Sequence, residues 1–206
     1  MLLRVFLLAM LLGFPAQDEA QPPGHLRIEA ATFTGSETAP GAGTVVLEIA
    51  EPAAQDPADS VRLQAVLQGP LDVEGEGDGA GIYALSAVLS FPASRLSFVT
   101  GSLIKGELLG RDGRDTLITA GVTPGDQTQL TIGASRIGAV PGVQAPKGRS
   151  ILFSLALQVL VAGDTPIVWG ESALIDPSVR ATGTPRFVDG TLHVEGGEVP
   201  QETEEH

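Results

Sequence analysis

Apolar residues recur along this chain in short runs set apart by turn residues. The segments "TVVLEIA" (44–50), "VRLQAVLQG" (61–69), "IYALSAVLSF" (82–91) and "LSFVTGSLI" (96–104) open the series. "DTLITAGV" (115–122), "QLTIGAS" (129–135), "SILFSLALQVLVA" (150–162), "PIVWGES" (166–172) and "FVDGTLHVE" (187–195) complete it. Runs of this length at regular spacing, rich in β-branched residues, suggest an all-β sandwich or barrel of about nine strands. Gly and Pro interrupt nearly every window that would hold a 3.6-residue period, so helix is confined to a turn near Ala93–Leu96 after Pro92.

Period-two alternation also assigns faces. In 82–91, Tyr83, Leu85, Ala87, Leu89 and Phe91 form the core face, and Ala84, Ser86, Val88 and Ser90 the other. In 150–162, Ile151, Phe153, Leu155, Leu157, Val159 and Val161 read as buried, opposed by Leu152, Ser154, Ala156, Gln158 and Leu160. The length of that run predicts a central strand.

The flanks differ in character. Residues 1–20 read as a secretory signal: Met1–Arg4 supplies a positive start, and Val5–Phe14 an apolar run too short to span a bilayer. Ala16 and Ala20 are small residues near the cleavage region. Residues 21–43 read as a Pro/Gly/Ala-rich linker holding one alternating piece, "HLRIEA", as an edge strand. The mature domain is then 44–196, and 197–206 an acidic tail with no apolar anchor. The expected location is outside the cytoplasm: extracellular, at the cell surface or periplasmic, with no stable membrane insertion once the signal is cleaved.

A formal net charge of -13 and the lack of any Lys/Arg cluster exclude a nucleic-acid partner, because a phosphate backbone requires a basic patch. The chain has no Cys, which removes disulfides, thiolate catalysis, Cys-based zinc sites and lipid attachment at the signal. An apolar core must therefore hold the fold.

The stretch "LDVEGEGDGAG" (71–81) sets Asp72, Glu74, Glu76 and Asp78 among glycines, and these are the candidate Ca²⁺ ligands. Counted from Asp72, however, Tyr83 falls where an EF-hand loop needs its bidentate Glu, so the segment reads as a solvated inter-strand loop and no metal or cofactor is expected. Catalysis finds little support. His25 and His206 fall in the flanks, His193 alternates with Leu192 and Val194 as an outward strand residue, and no nucleophile-elbow, zinc or phosphate-loop motif occurs. "GRDGRD" (110–115) reads as a hairpin turn with local charge pairing. Trp169, the sole Trp, is the candidate for carbohydrate stacking, although aromatic residues form only 4% of the chain.

The order of these segments resembles the cohesin family, β-sandwich modules that capture dockerin modules on secreted bacterial proteins. "LSAVLSFPASRLSFVTGSL" (85–103) resembles the family's alternating strand and the corner that follows it. "SILFSLALQVL", "ALIDP" and "FVDGTLHVEG" resemble later family strands. The corner here is Phe91-Pro92-Ala93, without the acidic residue common in the family. The resemblance runs from about Thr44 to Gly196. It implies an antiparallel, jelly-roll-like sandwich, a non-catalytic role, and capture of a dockerin-like protein through one sheet face. Ala84, Ser86, Val88, Gln129 and Thr131 are the implied contacts. A carbohydrate-binding or cell-surface structural module, with polysaccharide as partner, is the alternative.

Overall fold

The computed structural model describes residues 26–37, 41–73, 81–144 and 147–198. These form β1 (Leu26–Gly35), β2 (Thr44–Ile49), β3 (Ser60–Gln68), β4 (Ala84–Pro92), β5 (Leu96–Phe98), β6 (Ile104–Lys105) and β7 (Thr116–Thr123). There follow β8 (Gln127–Arg136), β9 (Arg149–Val159), β10 (Gly163–Trp169), β11 (Ala173–Ile175), β12 (Arg186–Phe187) and β13 (Gly190–Glu198). They build two sheets, one ordered β1-β13-β10-β4-β8-β7 with β11 also on β4, the other β12-β2-β3-β9-β5 with β6 also on β9. All pairings are antiparallel except β12 with β2. The nine segments read from the sequence are all present, and the short additional strands lie at corners and edges. Residues 26–35 join the first sheet as its outer strand, with Ile28 and Phe33 packed on the core.

The alternation in β4 is carried into the structure: Leu85, Ala87, Leu89 and Phe91 are buried, with the intervening side chains half-buried on the opposite face. Tyr83, read as core, is only half-buried, and its hydroxyl donates to Gly138 O at 2.9 Å. Facing β4 across the sandwich are Phe153, Leu155 and Leu157 of β9, a central strand flanked by β3 and β5.

One half of the β9 reading requires correction. Between Ala65 and Val66 the β3–β9 register shifts, so that Phe153 opposes Ala65 while Ile151 opposes Val66. Leu152 is the extra residue of a β-bulge, and a bulge rotates what lies beyond it onto the other face. Leu152 therefore enters the core. Ile151, read as core, packs instead against Val46, Val66 and Val188 on the outside of the sheet. At the far end Val161 lies past the strand and is 48% exposed. Ala156, read as outward, is fully buried because the 99–103 segment lies over it: Ala156 N donates to Ser102 Oγ at 2.9 Å, and Val99 N to Ala156 O.

That covering segment is held by an arginine. Arg62, opposite Ala156, donates from Nε and Nη2 to the two oxygens of Asp56 at 2.7 and 2.6 Å, and from Nη1 to Ser102 O and Ser154 Oγ. Both side chains are nearly inaccessible, at 3% and 2% exposure. Each nitrogen of the fork has an acceptor, and the charge is paired with Asp56, which is the condition under which a buried charge is tolerated.

The hydrogen bonds from Arg62 hold the Asp56 carboxyl below its ordinary range, against the opposing effect of burial. A depressed carboxyl pKa contributes stability above the unfolded-state value, and this is lost as pH falls through the lower folded value. Asp56→Asn is therefore expected to cost about 3 kcal/mol or more in urea unfolding at pH 7, because it leaves Arg62 buried without its counter-charge. The gap between wild type and variant should narrow below about pH 4. A gap unchanged at low pH would show that the pair's ionisation contributes nothing.

Candidate functional site

The two sheets present very different outer faces. That of the second sheet is roofed by the 99–103 segment, Arg62 and the Val46–Val66–Val188 cluster. That of the first sheet is open where β4, β8 and β7 lie side by side. Across these three strands the only ionisable side chain is Arg136, which is buried at the end of β8. In a chain of net charge -13 this is a local exclusion of charge.

The register arranges the outward side chains in rows. Thr119, Gly133 and Ser86 form one, continued by Ala173 of β11. Gly121, Thr131 and Val88 form the next. Thr123, Gln129 and Ser90 form a third, continued by Val168 of β10. Leu117, Ser135 and Ala84 close the other end, beside Ile175. Leu117 and Val168 are 55% and 43% exposed. The result is a flat surface of small and hydroxyl side chains with a few aliphatic ones.

The five contacts implied by the family resemblance all lie on this face. Gln129 and Thr131 are exposed, whereas Ala84, Ser86 and Val88 are half-buried. The partial cover comes from the link between β10 and β11. Gly170 N donates to Val88 O and Ser172 Oγ accepts from Val88 N, so the link lies along β4. A Cβ on Gly170 would come within 2.9 Å of Val88 Cγ1, so the approach requires glycine. The sequence reading omitted β7, whose Leu117, Thr119, Gly121 and Thr123 extend the face. Its burial alternates weakly because most of the strand is exposed on both sides. The signal available was the unbroken absence of charge from Thr116 to Gly125.

Trp169, the stacking candidate, is a core residue. It is 8% exposed, its indole N–H donates to Val188 O at 3.0 Å, and its ring packs edge-on to Phe153 and tilted against Phe187. A ring enclosed in this way offers no free face to a sugar. Of the calcium candidates, Asp72 is exposed beside a groove shared with Asp176 and Arg180, and Glu74, Glu76 and Asp78 lie outside the described residues. The Asp176 carboxylate is occupied by the backbone N–H groups of Ser178 and Arg180.

"GRDGRD" pairs at a distance rather than locally. It forms a turn closed by Gly113 N to Gly110 O in the crossing from one sheet to the other, and Asp112 accepts two bonds from the buried Arg136, at 3.0 and 2.6 Å. Arg136 draws the Asp112 carboxyl below its ordinary range. Asp112 lines a groove of about 730 Å³ with Glu107, Arg111, Lys147 and Arg149. His193 faces outward as read, with Nδ1 2.8 Å from Asp164 Oδ1.

No family model matches the chain, and no curated protein does. Solved structures do. A type II cohesin domain from the cellulosome of Acetivibrio cellulolyticus aligns with TM-score 0.51 and 10% identity, over 73% of this chain and 94% of that one. A non-cellulosomal cohesin from the hyperthermophilic archaeon Archaeoglobus fulgidus aligns at 0.46 and 16%, over 77% and 92%. The sixth cohesin of Acetivibrio cellulolyticus scaffoldin B, solved in complex with a Cel5 dockerin mutant, aligns at 0.47 and 14%, over 74% and 98%. The chain thus has a cohesin-like fold, a jelly-roll sandwich.

The enclosure of Trp169 has a measurable consequence. Its emission should be blue-shifted in the native chain and unchanged by cello-, xylo- or chito-oligosaccharides, while Trp169→Ala should cost about 3–5 kcal/mol of stability. Quenching or a spectral shift on addition of sugar would place the ring at a binding surface after all.

Proposed function

We propose that this chain is a secreted, non-catalytic protein-binding module that captures a dockerin-like partner on the outer face of β4, β8 and β7. The observation that carries the reading is the absence of charged side chains from the outward rows of β4, β8 and β7 in a strongly acidic chain. The cohesin-like fold supports it. Residues 1–20 act as the secretion signal, placing the module at the cell surface, outside the cell or in the periplasm. The binding domain extends beyond the 44–196 expected from the sequence, because β1 is a full strand of the first sheet and β13 runs to Glu198; the acidic tail follows from residue 199.

The chemistry suits a helical partner. Gly121, Gly133, Ala173 and Ser86 allow a helix backbone to approach closely, and Leu117, Val88 and Val168 supply apolar contact. Gln129, Thr131, Thr119 and Ser90 supply hydrogen bonds. Association on such a face desolvates no charge, which removes the largest penalty of interface formation. Because the strands are fixed by ladders on both sides of β4 and β8, the surface is preformed and little ordering entropy is lost on binding.

The test is an affinity capture from the secreted and envelope fractions of the source organism, run in parallel with wild-type and Thr131→Arg bait. Thr131 is exposed, so the substitution should shift Tm by less than about 2 °C. Wild type should retain proteins sharing a duplicated, Asp-rich calcium-loop module, and Thr131→Arg should lose them by tenfold or more. Equal capture by both baits would remove this face as the interface. Retention on polysaccharide with no protein bound would favour the carbohydrate alternative.

A further inference from the structure

Sheet edges expose unpaired N–H and C=O groups, and folded chains normally protect them with charge, proline, a bulge or a very short strand. Three of the four edges here are protected. β1 carries Arg27 and Glu29 and has a bulge between Ile28 and Ala30. β12 has 2 residues and β5 has 3. β7 has none of these devices: it is 8 residues long, regular in its pairing, and free of charge and proline. Its Thr116 end lies by the 110–115 turn, where Ile137 N donates to Asp115 O. From Leu117 to Thr123, among the described residues, its main chain bonds only to β8.

We propose that β7 is a dimerisation edge, occupied by β7 of a second copy of this chain in antiparallel pairing. The sequence "TLITAGVT" is suited to itself. Directly opposed residues point to the same face, so a dyad normal to the sheet must pass through a residue and not between two. Centred on Ala120, it sets Ile118 against Val122 twice on the core side. Outside, it sets Thr119 against Gly121 and Leu117 against Thr123, and the overlap ends before Pro124. Val122, 49% exposed in the single chain, gains an apolar neighbour. The same register brings Arg114 level with the turn that carries Asp126 of the second copy. Two chains of charge -13 repel over most of their surface, and this uncharged edge is where repulsion is least. A single-strand seam is small, so the dimer is a weak one. Both outer sheet faces would lie on one side, giving a bivalent surface for a partner.

Because the chain has no Cys, Ala120→Cys gives a clean cross-linking test in the full chain. The opposed Cα atoms of such a pair lie about 4.5–5.5 Å apart, within disulfide range. Oxidation should cross-link Ala120→Cys at least tenfold faster than a control, Ser97→Cys, at an exposed position on β5. Sedimentation velocity of wild type should show a monomer–dimer equilibrium, and Ala120→Glu, with like charges opposed across the dyad, should weaken it by about fivefold or more. Cross-linking decides the matter even if Ala120→Glu does not fold. A wild-type chain that stays monomeric to about 1 mM, equal cross-linking at both cysteines, or a dimer unaffected by Ala120→Glu would overturn the proposal. So would a monomer whose β7 amides become protected only on adding a foreign extended peptide. No partner is present in this experiment, so its failure leaves the capture reading untouched.

Discussion

The contact between the two sheets is the interaction on which everything else depends, because no disulfide fastens one to the other. Phe153 of β9 meets Trp169 of β10 across that contact, and Leu89, Leu130 and Leu155 pack in the same core. Alternation along β4 and β9 follows from this demand: a side chain displaced to the wrong face would leave a void in one layer and apolar surface in another. The two buried arginines stand at the margins of the core. Arg62 fastens the roof of the second sheet, and Arg136 fastens the crossover between sheets through Asp112. Each joins segments far apart in sequence that apolar packing alone would leave unregistered.

Those arginines mark where a sequence stops being legible. The core face of β4 could be read because its pairing with β8 is regular along the whole strand, and the same held for Phe153, Leu155 and Leu157 beside β3. Leu152 and Ile151 exchanged faces because a bulge depends on how β3 and β9 align, which no window within β9 contains. Ala156 was buried by a segment more than 50 residues away. Asp112 stood beside two arginines in sequence and paired with a third, 24 residues on, because the turn carries it over the end of β8. Alternation supplied the shared face of Ala84, Ser86, Val88, Gln129 and Thr131. It could not reveal that the three on β4 are partly sheltered beside the β10–β11 link.

The difference between the two outer faces organises the functional argument. Both sheets bury one face in the sandwich. The second then covers much of its other face with loops and a hydrogen-bond network around Arg62, whereas the first leaves β8 and β7 open and shelters β4 only in part. Burial on both sides explains the unbroken apolar stretches Val45–Leu47 of β2 and Ala65–Leu67 of β3, and one-sided exposure explains why β8 alternates so regularly.

The absence of charge from the proposed capture face also bears on how quickly a partner would be found. Acidic side chains elsewhere give the molecule a field, but none of it originates on the three strands proposed for capture, so an encounter there would not be drawn toward the productive orientation. Association would then proceed by orientational search, on the order of 10⁵–10⁶ M⁻¹s⁻¹, with little dependence on ionic strength. Under the proposed capture such a module would differ from electrostatically guided binders: its selectivity would reside in the lifetime of the complex, in how well a partner helix seats among Gly121, Gly133 and Ser86, and not in the speed of capture.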